Sequence, residues 1–226
     1  MTVTRVRGLV GLALVSTVLL TGCGSTPDLN PGVAARVGDD TVSVQHVADV
    51  AAGYCAAAEP QLQGQVLPNH YLNAQVASSI ALRSAADQMM AKYDVTVDES
   101  YTKAEDAARK DDSLAELSDS ARDALIEVQG AQTYVNAAEI SVGKDALGAS
   151  ATADDAQAFG AKVFLAWLAD HDVKFDPKYG VAIVEGKSVI EDTSLSYALS
   201  GTATKADATT PDSVYAGALP DSQRCG

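Results

Sequence analysis

A mainly α fold is what this sequence predicts, with a short β-hairpin at its N-terminus and a short closing strand near its C-terminus. Three observations carry that expectation. Aromatic residues make up only 5 % of the 226-residue chain while alanine recurs throughout, a mixture that favours helices over an all-β sandwich. Between residues 44 and 170 apolar residues recur every third or fourth position, the period of one helix face. The β-branched runs are short and stand beside Gly and Asp at the two ends of that helical stretch. A hydrophobic fraction of 47 % supports a packed core and excludes wholesale disorder. The formal charge of −14 argues against a general nucleic-acid binder, because phosphate attraction requires a basic surface.

Residues 1–22 read as an export signal and stand outside the fold. Arg5 and Arg7 form its positive start, and Leu9 to Leu20 carry no charge. That run of about 12 residues falls short of the roughly 20 that a membrane-spanning helix needs. Leu20-Thr21-Gly22-Cys23 then resembles the bacterial lipobox. The resemblance implies cleavage after Gly22, lipidation of Cys23 and a lipid anchor on the extracytoplasmic side of the cell membrane. Each buried methylene of such an anchor contributes about 0.8 kcal/mol. An ordinary secretory signal with an incidental cysteine is the other reading. Residues 23–32, with Pro27, Asn30 and Pro31, make the lipidated cysteine and a flexible tether.

The folded domain is expected over residues 33–200. Val33 to Val37 and Thr41-Val42 read as two extended runs about the turn Gly38-Asp39-Asp40. Ser43 is placed to cap a helix in which Val44, Val47, Ala48, Ala51, Tyr54, Cys55 and Ala58 follow at helical spacing until Pro60. A longer helix spans about Tyr71 to Tyr93, with Leu72, Val76, Ile80, Leu82, Met89 and Met90 on its apolar arc. Arg83 and Asp87 project into that arc four residues apart, where they either pair with each other or reach to its edge. Asp98 caps a third helix whose acidic start and basic end match the helix dipole.

One long helix is expected from about Asp119 to Leu147. Its two apolar sides make it the candidate for the centre of the bundle. Thr152 caps a last helix reaching about Asp170, with Ala156, Phe159, Gly160, Val163 and Trp167 as its core stripe. Val173-Lys174-Phe175 reads as a strand stopped by Asp176-Pro177, and two further short strands flank Glu185-Gly186. Residues 201–226 are small and polar at first and are expected to form a loose tail.

With Cys23 lipidated, Cys55 and Cys225 remain. An even pair in an exported protein points to a disulfide that ties the chain end back to the first helix. A buried free Cys55 with a mobile Cys225 is the alternative. Neither cysteine lies in the Cys-x-x-Cys spacing of a redox pair.

Catalytic chemistry finds little support. His46, His70 and His171 are isolated and lack zinc-ligand spacing. Neither a Gly-x-Ser-x-Gly elbow nor a phosphate-cradling glycine loop occurs. Asp39-Asp40, Asp111-Asp112 and Asp154-Asp155 are explained by turns and helix starts. A non-enzymatic protein without metal or cofactor is therefore expected. Met89, Met90 and Tyr93 are either part of the core or the lining of a groove for apolar partners, since methionine adapts to varied surfaces.

The residues 34–43, Ala34-Ala35-Arg36-Val37-Gly38-Asp39-Asp40-Thr41-Val42-Ser43, with the helix that follows, resemble the start of the N-terminal helical domain of SurA/PrsA-type extracytoplasmic chaperones. Lys92-Tyr93-Asp94-Val95-Thr96-Val97-Asp98 is similar to that family's break after its second long helix. Val173-Lys174-Phe175-Asp176-Pro177-Lys178-Tyr179-Gly180 is similar to its closing strand. The resemblance covers about residues 33–180 and implies a SurA-N-like helical bundle that binds unfolded or partly folded exported polypeptides. Many such proteins carry a parvulin prolyl isomerase domain before the closing segment. Here only Gly148 to Thr152 separate the last two helices, so isomerase activity is not implied. The alternative function is a dedicated adaptor that binds one folded partner in a cell-envelope complex.

Overall fold

The structure, a computed structural model, describes residues 31–191, 199–206 and 208–226. The export signal, Cys23 and most of the tether lie outside the described residues.

The chain opens with β1 (Val33–Val37) and β2 (Asp40–Ser43), an antiparallel hairpin about Gly38. Gly38 has φ 53°, a left-handed turn position that suits glycine. Ser43 then accepts the His46 backbone N–H at 3.0 Å and starts α1 (Val44–Ala58). Pro60, in the 3-10 turn Glu59–Gln61, ends it. A two-residue strand β3 (Leu67–Pro68) leads into α2 (Asn69–Lys92), followed by α3 (Glu99–Arg109), which Asp98 caps through the Ser100 N–H.

The single helix expected over 119–147 is two helices, α4 (Asp119–Gln129) and α5 (Ala131–Leu147). The break falls at Gly130, a weak helix former. A Cβ there would lie 2.4 Å from the Ile126 carbonyl oxygen. The central element is α2 instead. Leu72, Val76, Ala77, Ala81, Leu82, Ala85, Ala86 and Met89 are all buried along it, and α1, α4, α5, α6 and the N-terminal hairpin surround it. Its alanines let those neighbours approach closely on every side.

The helix α6 (Ala153–Asp170) begins at Thr152, which accepts the Asp155 N–H at 3.1 Å and donates its hydroxyl to the Asp155 carboxylate at 2.8 Å. It packs along α5 at unusually short range. A Cβ on Gly143 would lie 1.9 Å from the Ala156 carbonyl oxygen, and one on Gly160 would lie 1.9 Å from the Glu139 carbonyl oxygen. Each helix thus lays a backbone carbonyl over the other's glycine.

After α6 the chain forms β4 (Val173–Phe175), which adds antiparallel to β1 to give the order β2-β1-β4. Hydrogen bonds from Gly38 N to Asp172 O (3.1 Å) and Asp176 N to Ala34 O (2.8 Å) extend that pairing at both ends. Gln88 of α2 holds the hairpin turn, donating to Val37 O at 2.8 Å. A separate hairpin follows, β5 (Val181–Val184) with β6 (Lys187–Ile190), and Ser188 Oγ meets Ser78 Oγ of α2 at 2.7 Å.

The end of the chain is not the loose tail its composition suggests. The short helix α7 (Gly201–Ala206) has no buried residue, but the segment after it is packed. Ala216 in α8 (Ser213–Gly217) is fully buried, and β7 (Arg224–Cys225) pairs with β3. A disulfide joins Cys55 to Cys225 across a sequence separation of 170. Covalent closure and strand pairing override the polar composition, so the folded unit runs to the C-terminus.

Two stability predictions follow from this packing. Cys225→Ser should cost about 2–5 kcal/mol by urea unfolding, since the cross-link removes much of the unfolded chain's freedom. Gly160→Ala should cost about 2 kcal/mol or more in the same assay, because the new methyl meets a carbonyl that is fixed by its own helix. An unchanged midpoint for that variant would mean the two helices separate freely.

Candidate functional site

The last turn of α2 and the outer flank of α6 form a groove of about 370 Å³. Tyr93 stands on one side because α2 stops there. Asp94 adopts φ 52°, and the N–H groups of Tyr93 and Val95 both close on Met90 O at 3.1 Å, a left-handed helix end. Phe159, Lys162, Val163, Ala166 and Asp170 line the other side at successive turns of α6. Trp167 forms the floor, 4 % exposed and stacked on His171 with ring centroids 4.2 Å apart.

The sequence-based candidates part company here. Met89 and Met90 are 0 % and 5 % exposed, so they belong to the core and not to a binding surface. Both lie on faces that α2 turns toward its neighbours. Tyr93 is 37 % exposed and does line the groove. Phe159, expected in the core stripe of α6, is 38 % exposed. The buried positions of α6 are Ala156, Gly160, Phe164 and Trp167, and at 100° per residue Phe159 falls on the edge of that arc. That angular offset, on the side where Lys162 lies farther out, marks Phe159 as a rim residue.

A second cleft, also of about 370 Å³, lies beneath α3. Leu114, Leu125 and Ile126 form its apolar part, and Gly130 at the α4–α5 break borders it. Reading 119–147 as one helix conceals this cleft. Arg109 closes its rim by bridging Glu105 at 2.9 Å and Asp123 at 2.6 Å. These exposed pairs contribute only about 0–1 kcal/mol each.

Arg83 and Asp87 do not pair with each other. Arg83 donates to the Tyr101 hydroxyl at 2.8 Å and lies over the Tyr134 ring at 4.2 Å, while the Tyr134 hydroxyl donates to Asp87. Tyr101 and Tyr134 meet edge to face at 4.8 Å. Burial, and then the Asp87 carboxylate, push the Tyr134 phenol well above its ordinary range, so it stays a proton donor. Burial raises the Asp98 carboxyl, but the Lys144 ammonium at 2.6 Å and the bond from Ser100 outweigh it and hold the group below its usual value. These contacts satisfy one another and tie α3 to α2 and α5.

Other polar candidates also have structural roles. His46 lies 3.7 Å from Glu127. The Asp111 carboxylate accepts the Ser113 N–H at 2.9 Å. The Asp40 carboxylate accepts the Ser84 hydroxyl at 3.3 Å. Among the described residues no group of three or more His, Cys, Asp or Glu side chains is arranged to hold a metal ion. No described helix is long and apolar enough to cross a membrane.

No protein-family model matches the chain, and no curated protein or solved structure is detectably similar to it.

One buried carboxyl has a marked titration. Glu139 is 7 % exposed at the α5–α6 contact. Burial pushes it up to about 7, partly offset by a hydrogen bond to Gln157. The folded protein therefore holds this proton over a pH range in which the unfolded chain has released it. The stability contributed by this group falls as pH rises from about 4.5 to about 7 and stays lost above that. The shift corresponds to about 3 kcal/mol at pH 8. Glu139→Gln should thus stabilise the fold by about 2–3 kcal/mol at pH 8 and change it little at pH 4.5. Urea unfolding of both proteins at the two pH values checks this; an equal effect at both would assign the change to packing.

Proposed function

We propose that this chain is a lipid-anchored extracytoplasmic protein that binds unfolded or partly folded exported polypeptides without a covalent step, cofactor or metal. The observation that carries the reading is the groove with Tyr93 and Phe159 half-exposed on two rigid helices. Aromatic rims over an apolar floor suit side chains presented by non-native chains. The lipobox-like segment and Cys23 support export and anchoring. The Cys55–Cys225 bond supports an oxidising compartment, where such bonds persist. The order of hairpin, helices and closing strand, with β1 between β2 and β4, supports the likeness to the SurA/PrsA-type helical domain.

Aggregation of several chemically unfolded exported proteins, with and without an equimolar amount of residues 24–226 in the oxidised form, tests the proposal. Suppression is expected across unrelated clients, and Phe159→Asp should remove most of it while leaving the fold intact. No suppression with any client would overturn it. Crosslinking in cells that recovers one dominant folded partner would identify an adaptor instead.

A further inference from the structure

The charges around the groove differ from those of the molecule as a whole. The chain carries −14 overall, and most of its ammonium groups are engaged. Lys103, Lys144, Lys174, Lys178 and Lys205 each hold a carboxylate within 4 Å. Lys92, Lys110, Lys162 and Lys187 are exposed and have no such partner among the described residues. Of these, Lys92 and Lys162 line the groove with Tyr93 and Phe159. Two uncompensated cations thus stand beside the aromatic rim of an otherwise acidic protein.

The geometry sets the length of the occupant. Phe159 and Asp170 mark the two ends of the α6 wall. Eleven residues of helix span about 16 Å, which matches about five residues of extended chain. Asp170 gives that line a polarity. A carboxylate near Lys162 is attracted, whereas one near Asp170, about 12 Å farther along the helix, is repelled. Trp167 and Val163 between them offer apolar surface to a side chain pointing inward.

We infer that the groove takes an extended polypeptide segment of about five residues in which an apolar side chain has a carboxylate on one side, the acidic end lying toward Lys162 and away from Asp170. This rests on the polypeptide-binding reading above and names the class of segment it selects. An anionic lipid headgroup shares the carboxylate's charge, but a single headgroup does not fill a wall about 16 Å long. The length of the groove therefore favours a peptide.

Dye-labelled peptides of three kinds test the inference by fluorescence anisotropy, using the full chain in phosphatidylcholine nanodiscs with empty nanodiscs as background. One alternates Glu with Leu, the second alternates Lys with Leu, and the third alternates Ser with Leu. The Glu peptide is expected to bind about tenfold more tightly than the Lys peptide, and to weaken severalfold on raising salt, as short-range ion pairs do. The double variant Lys92→Glu with Lys162→Glu, both at exposed positions, should reverse that order. Trp167 emission, from the chain's only tryptophan, gives an independent readout on the groove floor.

Equal binding of all three peptides, lost in Phe159→Asp, would overturn the charge selection and leave polypeptide binding standing. Binding of none would overturn both. Binding of phosphatidylglycerol vesicles without peptide binding, abolished by the double lysine variant, would overturn the inference in favour of a headgroup.

Discussion

The contact between α5 and α6 sets most of the geometry around it. With the Ala156 carbonyl over Gly143 and the Glu139 carbonyl over Gly160, the two backbones meet with no side chain between them. Sliding one helix along the other would drive an oxygen into a neighbouring Cβ, so register and crossing are fixed together. The position of α6 then determines where Trp167 sits and where Phe159 emerges. It also delivers the chain to β4, which must reach β1 for the three-stranded sheet to close. On its other side α5 anchors α3 through Tyr134 and Lys144. The same closeness traps the Glu139 carboxyl in apolar surroundings, a local cost accepted within a tight interface.

Local physics was the legible part of the sequence. Ser43, Asp98 and Thr152 announce helix starts because a cap depends on residues only two or three positions away. The hairpin at Gly38 and the strand 173–175 are legible for the same reason. The α4–α5 break was not, because apolar periodicity continues across Gly130 and one glycine does not always stop a helix. Nor was the centrality of α2. A helix whose wide buried arc is filled largely by alanine and serine shows a weak hydropathy signal, while 119–147 looked more apolar on two sides. Met89 and Met90 illustrate the limit: a core stripe and an adaptable groove require the same residues at the same spacing, and only the neighbours decide between them. At the C-terminus, composition pointed to looseness; the Cys55–Cys225 bond was legible from the even cysteine pair, whereas the pairing of β7 with β3 is a long-range contact that composition does not encode.

The two clefts differ in what holds their walls. The α6 groove is bounded by α6, held to α5 through the glycine crossing, and by the end of the buried helix α2. The cleft under α3 has a roof whose one buried residue is Tyr101. Its outer edge is closed by exposed ion pairs of small worth. A preformed rigid groove loses little freedom on binding, which favours an extended chain that itself must be ordered. For that reason the α6 groove, and not the equally large cleft beside the helix break, is the better platform for a flexible partner.

Charge distribution determines how such a groove behaves on an acidic molecule. At physiological ionic strength fields fade over about 8 Å. A carboxylate docked beside Lys162, as proposed, therefore responds mainly to the lysines and the Asp170 carboxylate that line the groove, and little to the remaining negative surface. Beyond that distance an acidic segment meets no attraction, so the lysines contribute at the last stage of docking and do not steer from afar. Binding of this kind is short-lived and sensitive to the local spacing of charge and apolar side chain. Under the proposed function, such weak and local attraction is what lets a bound segment be released.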